Sequence, residues 1–151
     1  AENGYAEIVT RLLGASADAN QATTNDGATP LCIAAQNDHA EVVSLLLGGG
    51  ADVNKATTDD GATPLYVAAQ NGHTEVVNQL LGGGADANQA TIAYSITPLY
   101  TAAENGYAEI VTRLLGASAD ANQATTNDGA TPLCIAAQND HAEVVSLLLG
   151  L

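Results

Sequence analysis

Hydrophobic residues along the chain occur in pairs of short groups, and each group fits one face of a helix. In residues 60–93, Leu65, Ala68 and Ala69 recur at helical spacing. A second apolar group follows between residues 76 and 81, interrupted by polar side chains. The pattern predicts two short helices, each of which buries one face against a neighbouring element.

Local signals mark where these helices begin and end. Thr63 can cap free backbone N–H groups, and Pro64 suits the first helical position because it lacks an N–H and has a fixed φ. Gly72 is a natural helix end. Glu75 then opens the second helix, where its charge favours the helix dipole, and the glycines at 82–84 stop it. A long, turn-rich loop leads to the next unit.

The whole pattern repeats with a period of 34 residues. Thr-Pro-Leu stands at 29–31, 63–65, 97–99 and 131–133, and a period of this size indicates a solenoid built from stacked units. We predict an all-α fold with a partial pair at the start of the chain. The predicted helix pairs are 29–38 and 40–48, 63–72 and 74–82, 97–106 and 108–116, and 131–140 and 142–150.

A longer repeat is superimposed on this period, because residues 1–48 are identical to residues 103–150. The offset of 102 is three times 34. Adjacent units differ far more, so we interpret the identity as a natural three-unit superrepeat, with engineered repetition as the alternative. We divide the chain into one array: a partial unit at 1–25, units at 26–59, 60–93 and 94–127, and a partial unit at 128–151.

The repeated motif resembles the ankyrin repeat. Unit 60–93 reads TPL-x-x-AA-x-x-G-H-x-E-V-V-x-x-LL followed by G-G-AD-x-N, and the other units match this pattern with a few substitutions. The resemblance implies helix pairs joined by β-hairpin-like fingers, and a concave surface that binds partner proteins. The chain departs from the family's 33-residue period, and its TPLH histidine is replaced by Cys32, Tyr66, Tyr100 and Cys134. Asp38 and Asp140 replace the turn glycine, which predicts slightly weaker turns.

Charge limits the choice of partner. The net charge is −14, from 17 acidic and three basic side chains, and much of it recurs at fixed positions of the unit. Such a surface argues against nucleic acid and anionic membranes and favours a basic protein partner. Cys32 and Cys134 lie three units apart, beyond disulfide reach. The absence of a disulfide framework favours an intracellular location.

No pattern of catalytic or metal-binding residues is present. His39, His73 and His141 occupy equivalent positions about one layer or more apart, too far to share a zinc ion, so we interpret them as packing residues at the turns. The sequence contains no nucleophile elbow, phosphate loop or HExxH helix. We predict a protein that is not an enzyme and has no cofactor.

One finger has a sequence unlike the others. Residues 91–96 read TIAYSI, where the equivalent stretches read TTNDGA or TTDDGA. Tyr94, Ser95 and Ile96 thus replace Asp, Gly and Ala. Apolar groups on an exposed tip can mark an interaction site, or they can pack locally onto the first helix of their own or the next unit.

These observations predict a non-enzymatic protein-binding module whose partner carries a basic patch and an apolar group opposite Tyr94. A structural spacer or rod, or an engineered array without a native partner, is the alternative. The predicted contact residues are finger tips and exposed ends of first helices: Asn25, Asp26, Gln36, Asn37, Asp59, Asp60, Gln70, Asn71, Tyr94, Ile96, Glu104, Asn105, Asn127 and Asp128.

The two ends of the chain suggest self-association. We read Ala1–Gly4 as the tail of a first helix, and the chain stops just after a second helix. Apolar faces around Ile8 and Leu12 at one end and around Val144 and Leu148 at the other would then be bare. We expect copies to stack head to tail into open filaments, or else the sequence to be a window on a longer chain.

Overall fold

The computed structural model describes residues 3–151, with side chains from residue 6 onward. Within this range it contains helices and turns and no strand, so the predicted all-α fold is confirmed. The helices are α1 (Asn3–Gly14), α2 (Pro30–Gln36), α3 (Ala40–Gly48), α4 (Pro64–Asn71), α5 (Thr74–Gly82), α6 (Pro98–Glu104), α7 (Ala108–Gly116), α8 (Pro132–Gln138) and α9 (Ala142–Leu149).

The helices stack in two parallel rows. The first helices α2, α4, α6 and α8 each contact the next one along the chain, and so do the second helices α1, α3, α5, α7 and α9. Each first helix also packs against the second helix that follows it. The core runs through all layers and consists almost entirely of Ala, Val, Leu and Ile. Small side chains of this kind let short helices approach closely.

The predicted helix starts are confirmed at atomic level. At Thr63 the side-chain oxygen accepts a hydrogen bond of 3.0 Å from the N–H of Tyr66, and Pro64 is the first helical residue. Thr29, Thr97 and Thr131 cap α2, α6 and α8 in the same way. Because three of these threonines are buried, the cap satisfies polar groups that water cannot reach.

Asparagines in the long loops join neighbouring layers. The Asn20 side chain donates to the carbonyl of Gly50 at 3.1 Å and accepts from the N–H of Asp52 at 2.7 Å. Asn54 and Asn88 make the same pair of bonds to the layer that follows each of them. One side chain therefore holds a donor and an acceptor of the next loop, which fixes the spacing between layers.

The same sequence adopts two structures at the two ends of the superrepeat. In the interior copy, Gly106 forms a left-handed turn with φ of +74° and α7 begins at Ala108. In the first copy α1 already begins at Asn3, so our interpretation of Asn3 and Gly4 as the end of a preceding helix is wrong. The interior turn joins α6 to α7, and no described helix precedes α1. Residues 1 and 2 lie outside the described residues.

Burial differs just as strongly between these copies. Ile110 is 1% exposed, whereas the equivalent Ile8 is 55% exposed. Leu114 is fully buried, and its counterpart Leu12 is more than half exposed. In the interior copy α5 and α6 cover this face. The neighbouring layer, and not the local sequence, therefore decides how much apolar surface is buried.

The asparagine links predict a stability difference between equivalent residues. Replacing Asn54→Ala removes two bonds to the next layer and should lower the free energy of unfolding by about 1 kcal/mol, since partly exposed hydrogen bonds are each worth about 0.5–1.5 kcal/mol. Asn122 is the matched control, because no equivalent loop follows it among the described residues. Asn122→Ala should change stability by less than about 0.5 kcal/mol. Equal losses in urea denaturation would contradict the linking role.

Candidate functional site

Three finger tips are built around a carboxylate. At Asp60, Oδ1 accepts hydrogen bonds from the Thr57 hydroxyl and from the N–H of Ala62, the latter at 2.9 Å. Asp26 and Asp128 make the same two kinds of bond in their own fingers. These predicted contact residues therefore hold the finger turn in place. Their second oxygen, Oδ2, accepts no bond from the described residues, so it can still face a partner.

The hydrogen bonds also keep these carboxylates charged. The Thr57 hydroxyl is the main cause that holds the pKa of Asp60 below its usual range; burial acts in the opposite direction, and the N–H of Ala62 adds to the lowering. Threonine hydroxyls lower the pKa values of Asp26 and Asp128 in the same way. The finger tips are therefore anionic at neutral and mildly acidic pH, and this charge suits a basic partner.

A groove lies between the first two complete fingers and the helices α2 and α4. Its volume is about 200 Å³, and its walls bring together five of the predicted contact residues: Asp26, Gln36, Asp59, Asp60 and Gln70. The other lining residues include Cys32 and Tyr66, which our sequence analysis did not place in the site. The groove thus combines an acidic rim with an uncharged floor.

Cys32 and Tyr66 form this floor because they stand in the first turn of each first helix, facing the finger. Burial is the main cause that raises the pKa of the Cys32 thiol and of the Tyr66 hydroxyl, so both are neutral at physiological pH. Cys32 Sγ lies 3.6 Å from the carbonyl oxygen of Lys55. The signal that could have identified them is the position of the family's histidine, which both residues occupy.

The contact residues predicted on the first helices fall into two groups. Gln36, Gln70 and Glu104 are exposed at the helix ends. The amides of Asn37, Asn71 and Asn105 each donate to the carbonyl four residues earlier, at 2.7–2.9 Å. These asparagines cap the ends of the first helices. A partner that competed for their side-chain amides would break the capping hydrogen bonds, so the asparagines are less available for binding than the first group.

The remaining residues predicted at finger tips, Asn25, Asp59 and Asn127, are exposed. Asp59 accepts the N–H of Asp60 at 2.8 Å. This bond is local to the finger tip and leaves the Asp59 side chain at the surface, beside the groove.

The finger of residues 91–96 keeps the backbone of the others but changes its surface. The N–H of Ile96 donates to the Thr91 hydroxyl at 3.1 Å, as the equivalent groups do in the other fingers. Tyr94 replaces the aspartate, so no carboxylate accepts from the Thr91 hydroxyl or from the N–H of Ile96. Tyr94 is 54% exposed and Ile92 is 68% exposed. Ser95 adopts φ of +54°, where the other fingers have glycine. This finger therefore has a more strained turn and displays two apolar side chains.

The third apolar residue of this finger behaves differently. Ile96 is half-buried and packs against the hydrophobic core. The two interpretations of the segment thus apply to different residues: Ile96 packs locally, whereas Tyr94 and Ile92 are available at the surface. Sequence reasoning did not include Ile92 among the contact residues, although its replacement of a threonine was visible.

The turn residues serve the contact between layers. His73 Nε2 lies 3.1 Å from the carbonyl oxygen of Gln36 in the preceding unit, and its Nδ1 lies 3.7 Å from Asp38. Asp38 and Asp140 both adopt the left-handed conformation that glycine has elsewhere.

Between residues 3 and 151, no three His, Cys, Asp or Glu side chains are grouped closely enough to hold a metal ion. No described helix is long and apolar enough to cross a membrane.

Comparison with protein families agrees with this architecture. The family model described as ankyrin repeats (3 copies) matches residues 1–91 and again residues 90–151. The chain therefore belongs to the ankyrin repeat family, whose members are generally protein–protein interaction modules and typically are not enzymes. No curated protein shows significant similarity to the chain.

The unusual finger should gain stability when its missing carboxylate is restored. Tyr94→Asp supplies an acceptor for the Thr91 hydroxyl and the N–H of Ile96, and it should raise the free energy of unfolding by about 1 kcal/mol. Tyr94→Leu is the control, since it removes the ring without supplying an acceptor, and it should give no gain. Chemical denaturation of both variants tests this. If they were equally stable, the carboxylate would not be what the finger lacks.

Proposed function

We propose that the chain is a non-enzymatic protein-binding module whose binding surface is the finger face, defined as the finger tips together with the exposed ends of the first helices. The observation that carries the proposal is the finger at 91–96, which replaces a turn-stabilising carboxylate by exposed Tyr94 and Ile92. A spacer whose surface had no role would be expected to keep the same stable turn in every unit.

The chemistry of the partner follows from the surface around this finger. Asp60 on the preceding finger and Asp128 on the following one are charged at neutral pH, and the chain as a whole carries −14. The partner that fits is a protein with basic side chains that flank an apolar group. Nucleic acids and anionic membranes would be repelled.

Self-association is a second proposal and concerns another surface. Exposed Ile8 and Leu12 on α1 correspond to residues that are fully covered in the interior copy. At the other end, the expectation that Val144 lies on a bare face is wrong, because Val144 is buried; the exposed large apolar side chain of α9 is Leu149. Burial of apolar side chains on this scale favours association, so head-to-tail stacking of copies is a chemically reasonable use of these faces. We treat the chain as a single array with the unit boundaries given above.

Photo-crosslinking from defined positions tests both proposals. p-Benzoylphenylalanine would replace Tyr94 on the finger face, Leu12 on α1, or Thr112, which is exposed on the second-helix row. We expect position 94 to crosslink a partner protein that position 112 does not capture. Crosslinks from position 12 to a second copy of the chain would support stacking.

Two outcomes would contradict these proposals. Equal products from positions 94 and 112 would mean that the finger face is not the binding surface. If position 12 yields only uncrosslinked chain at every protein concentration, the stacking proposal is wrong.

Introducing Tyr94→Asp in a separate binding assay should lower capture of the partner without unfolding the array.

A further inference from the structure

Equivalent residues of the four fingers form a row along the stack. Asp26, Asp60, Tyr94 and Asp128 stand at the same position of successive units, each 34 residues from the last. Backbone hydrogen bonds join each finger to the next: the carbonyl of Asp26 accepts from Thr58, that of Asp60 from Ile92, and that of Tyr94 from Thr126, at 2.7–3.0 Å. The row therefore advances by one helix layer per residue, about 8–10 Å.

This spacing matches one kind of extended backbone. A polyproline II helix has three residues per turn and rises about 3.1 Å per residue, so every third side chain points the same way at about 9.3 Å intervals. A β-strand places residues three apart on opposite faces, because its side chains alternate. A segment in the polyproline II conformation could thus present one side chain to each finger in turn.

The same spacing favours such a segment over an α-helix. An α-helix rises about 1.5 Å per residue and returns a side chain to the same face after seven residues, or about 10.5 Å, which is longer than one layer. The polyproline II interval of about 9.3 Å lies within the layer spacing. An extended segment with one side chain per layer therefore keeps its register along the row.

The chemistry along the row specifies the order of side chains. Two anionic positions, Asp26 and Asp60, are followed by the apolar position of Tyr94 and then by anionic Asp128. Ile92 enlarges the apolar position, since it is exposed on the same finger tip. The charge pattern calls for basic, basic, apolar and basic side chains in sequence.

We propose that the finger face binds a polyproline II segment that, counted along the stack from Asp26 to Asp128, has Lys or Arg at the first, fourth and tenth positions and a large apolar residue at the seventh. Its N-terminus can lie at either end of the row. This inference rests on the proposed function and specifies the class of partner. It adds Ile92 as a contact residue and leaves Ile96 to the core.

Synthetic peptides provide the test. The probe is a fluorescein-labelled peptide of ten residues with Lys at positions 1, 4 and 10, Leu at position 7 and Pro, Ser and Gln elsewhere, made in both sequence directions. A permuted peptide of the same composition, with Leu and the lysines off the three-residue spacing, is the control. By fluorescence anisotropy, one direction of the spaced peptide should bind at least about tenfold more tightly than the permuted one.

Variants of the chain show whether the contact lies where we infer. Ile92→Thr with Tyr94→Asp restores residues that the other fingers carry, so the array should remain folded, as circular dichroism can verify. The spaced peptide should then lose its advantage over the permuted peptide. Thr112→Asp adds the same charge on the second-helix row and should leave the advantage intact.

Three results would overturn the inference: equal binding of spaced and permuted peptides, an advantage that survives in the double variant, or tighter binding of a helical peptide with the same four side chains at seven-residue spacing. The proposed function is tested separately by crosslinking. If position 94 captures a protein while no spaced peptide binds preferentially, the extended segment is wrong and the binding module stands. If position 94 captures nothing specific, both fail.

Discussion

Burial of apolar surface between adjacent layers is the interaction on which the structure depends. A helix pair of 15 or so residues cannot form a core alone, so each pair is stable only against its neighbours. The two identical copies show this directly. Ile110 is buried beneath α5 and α6, whereas Ile8, with the same local sequence, is largely exposed. The core residues, the caps and the asparagine links all serve this one contact.

The fixed period has a second consequence, because it separates framework from function. Most acidic side chains recur at the same place in each unit and have a structural task, as Asp60 has in holding its finger turn. A residue that departs from the repeated pattern is informative because the framework does not require it. Tyr94 replaces the aspartate whose carboxylate stabilises the other finger turns, and Ser95 adopts a left-handed φ although it is not glycine. A stability cost of this kind at an exposed tip is typical of binding sites.

The helices could be predicted from sequence because their signals are local. Thr-Pro at the start and a turn residue near the end fixed the helices to within about two residues. The finger could not be resolved as well, because which of Ile92, Tyr94 and Ile96 turns toward the core depends on the packing of the preceding and following layers. Cys32 and Tyr66 were missed for a similar reason: only the stacked fingers show that their helix turn forms the floor of a groove. The start of α1 at Asn3 could not be predicted from local signals, because the same residues form the turn between α6 and α7 in the interior copy.

Amide hydrogen exchange measured by NMR tests the central claim most directly. The amides of residues 8–13 in α1 and 110–115 in α7 have identical local sequences, so their intrinsic exchange rates are equal and any difference reports the surroundings. If layer contacts supply the stability, α7 should be protected at least about 100-fold more strongly than α1, since protection follows the free energy of local opening. Equal protection of the two helices would show that local sequence stabilises them, and it would contradict the account.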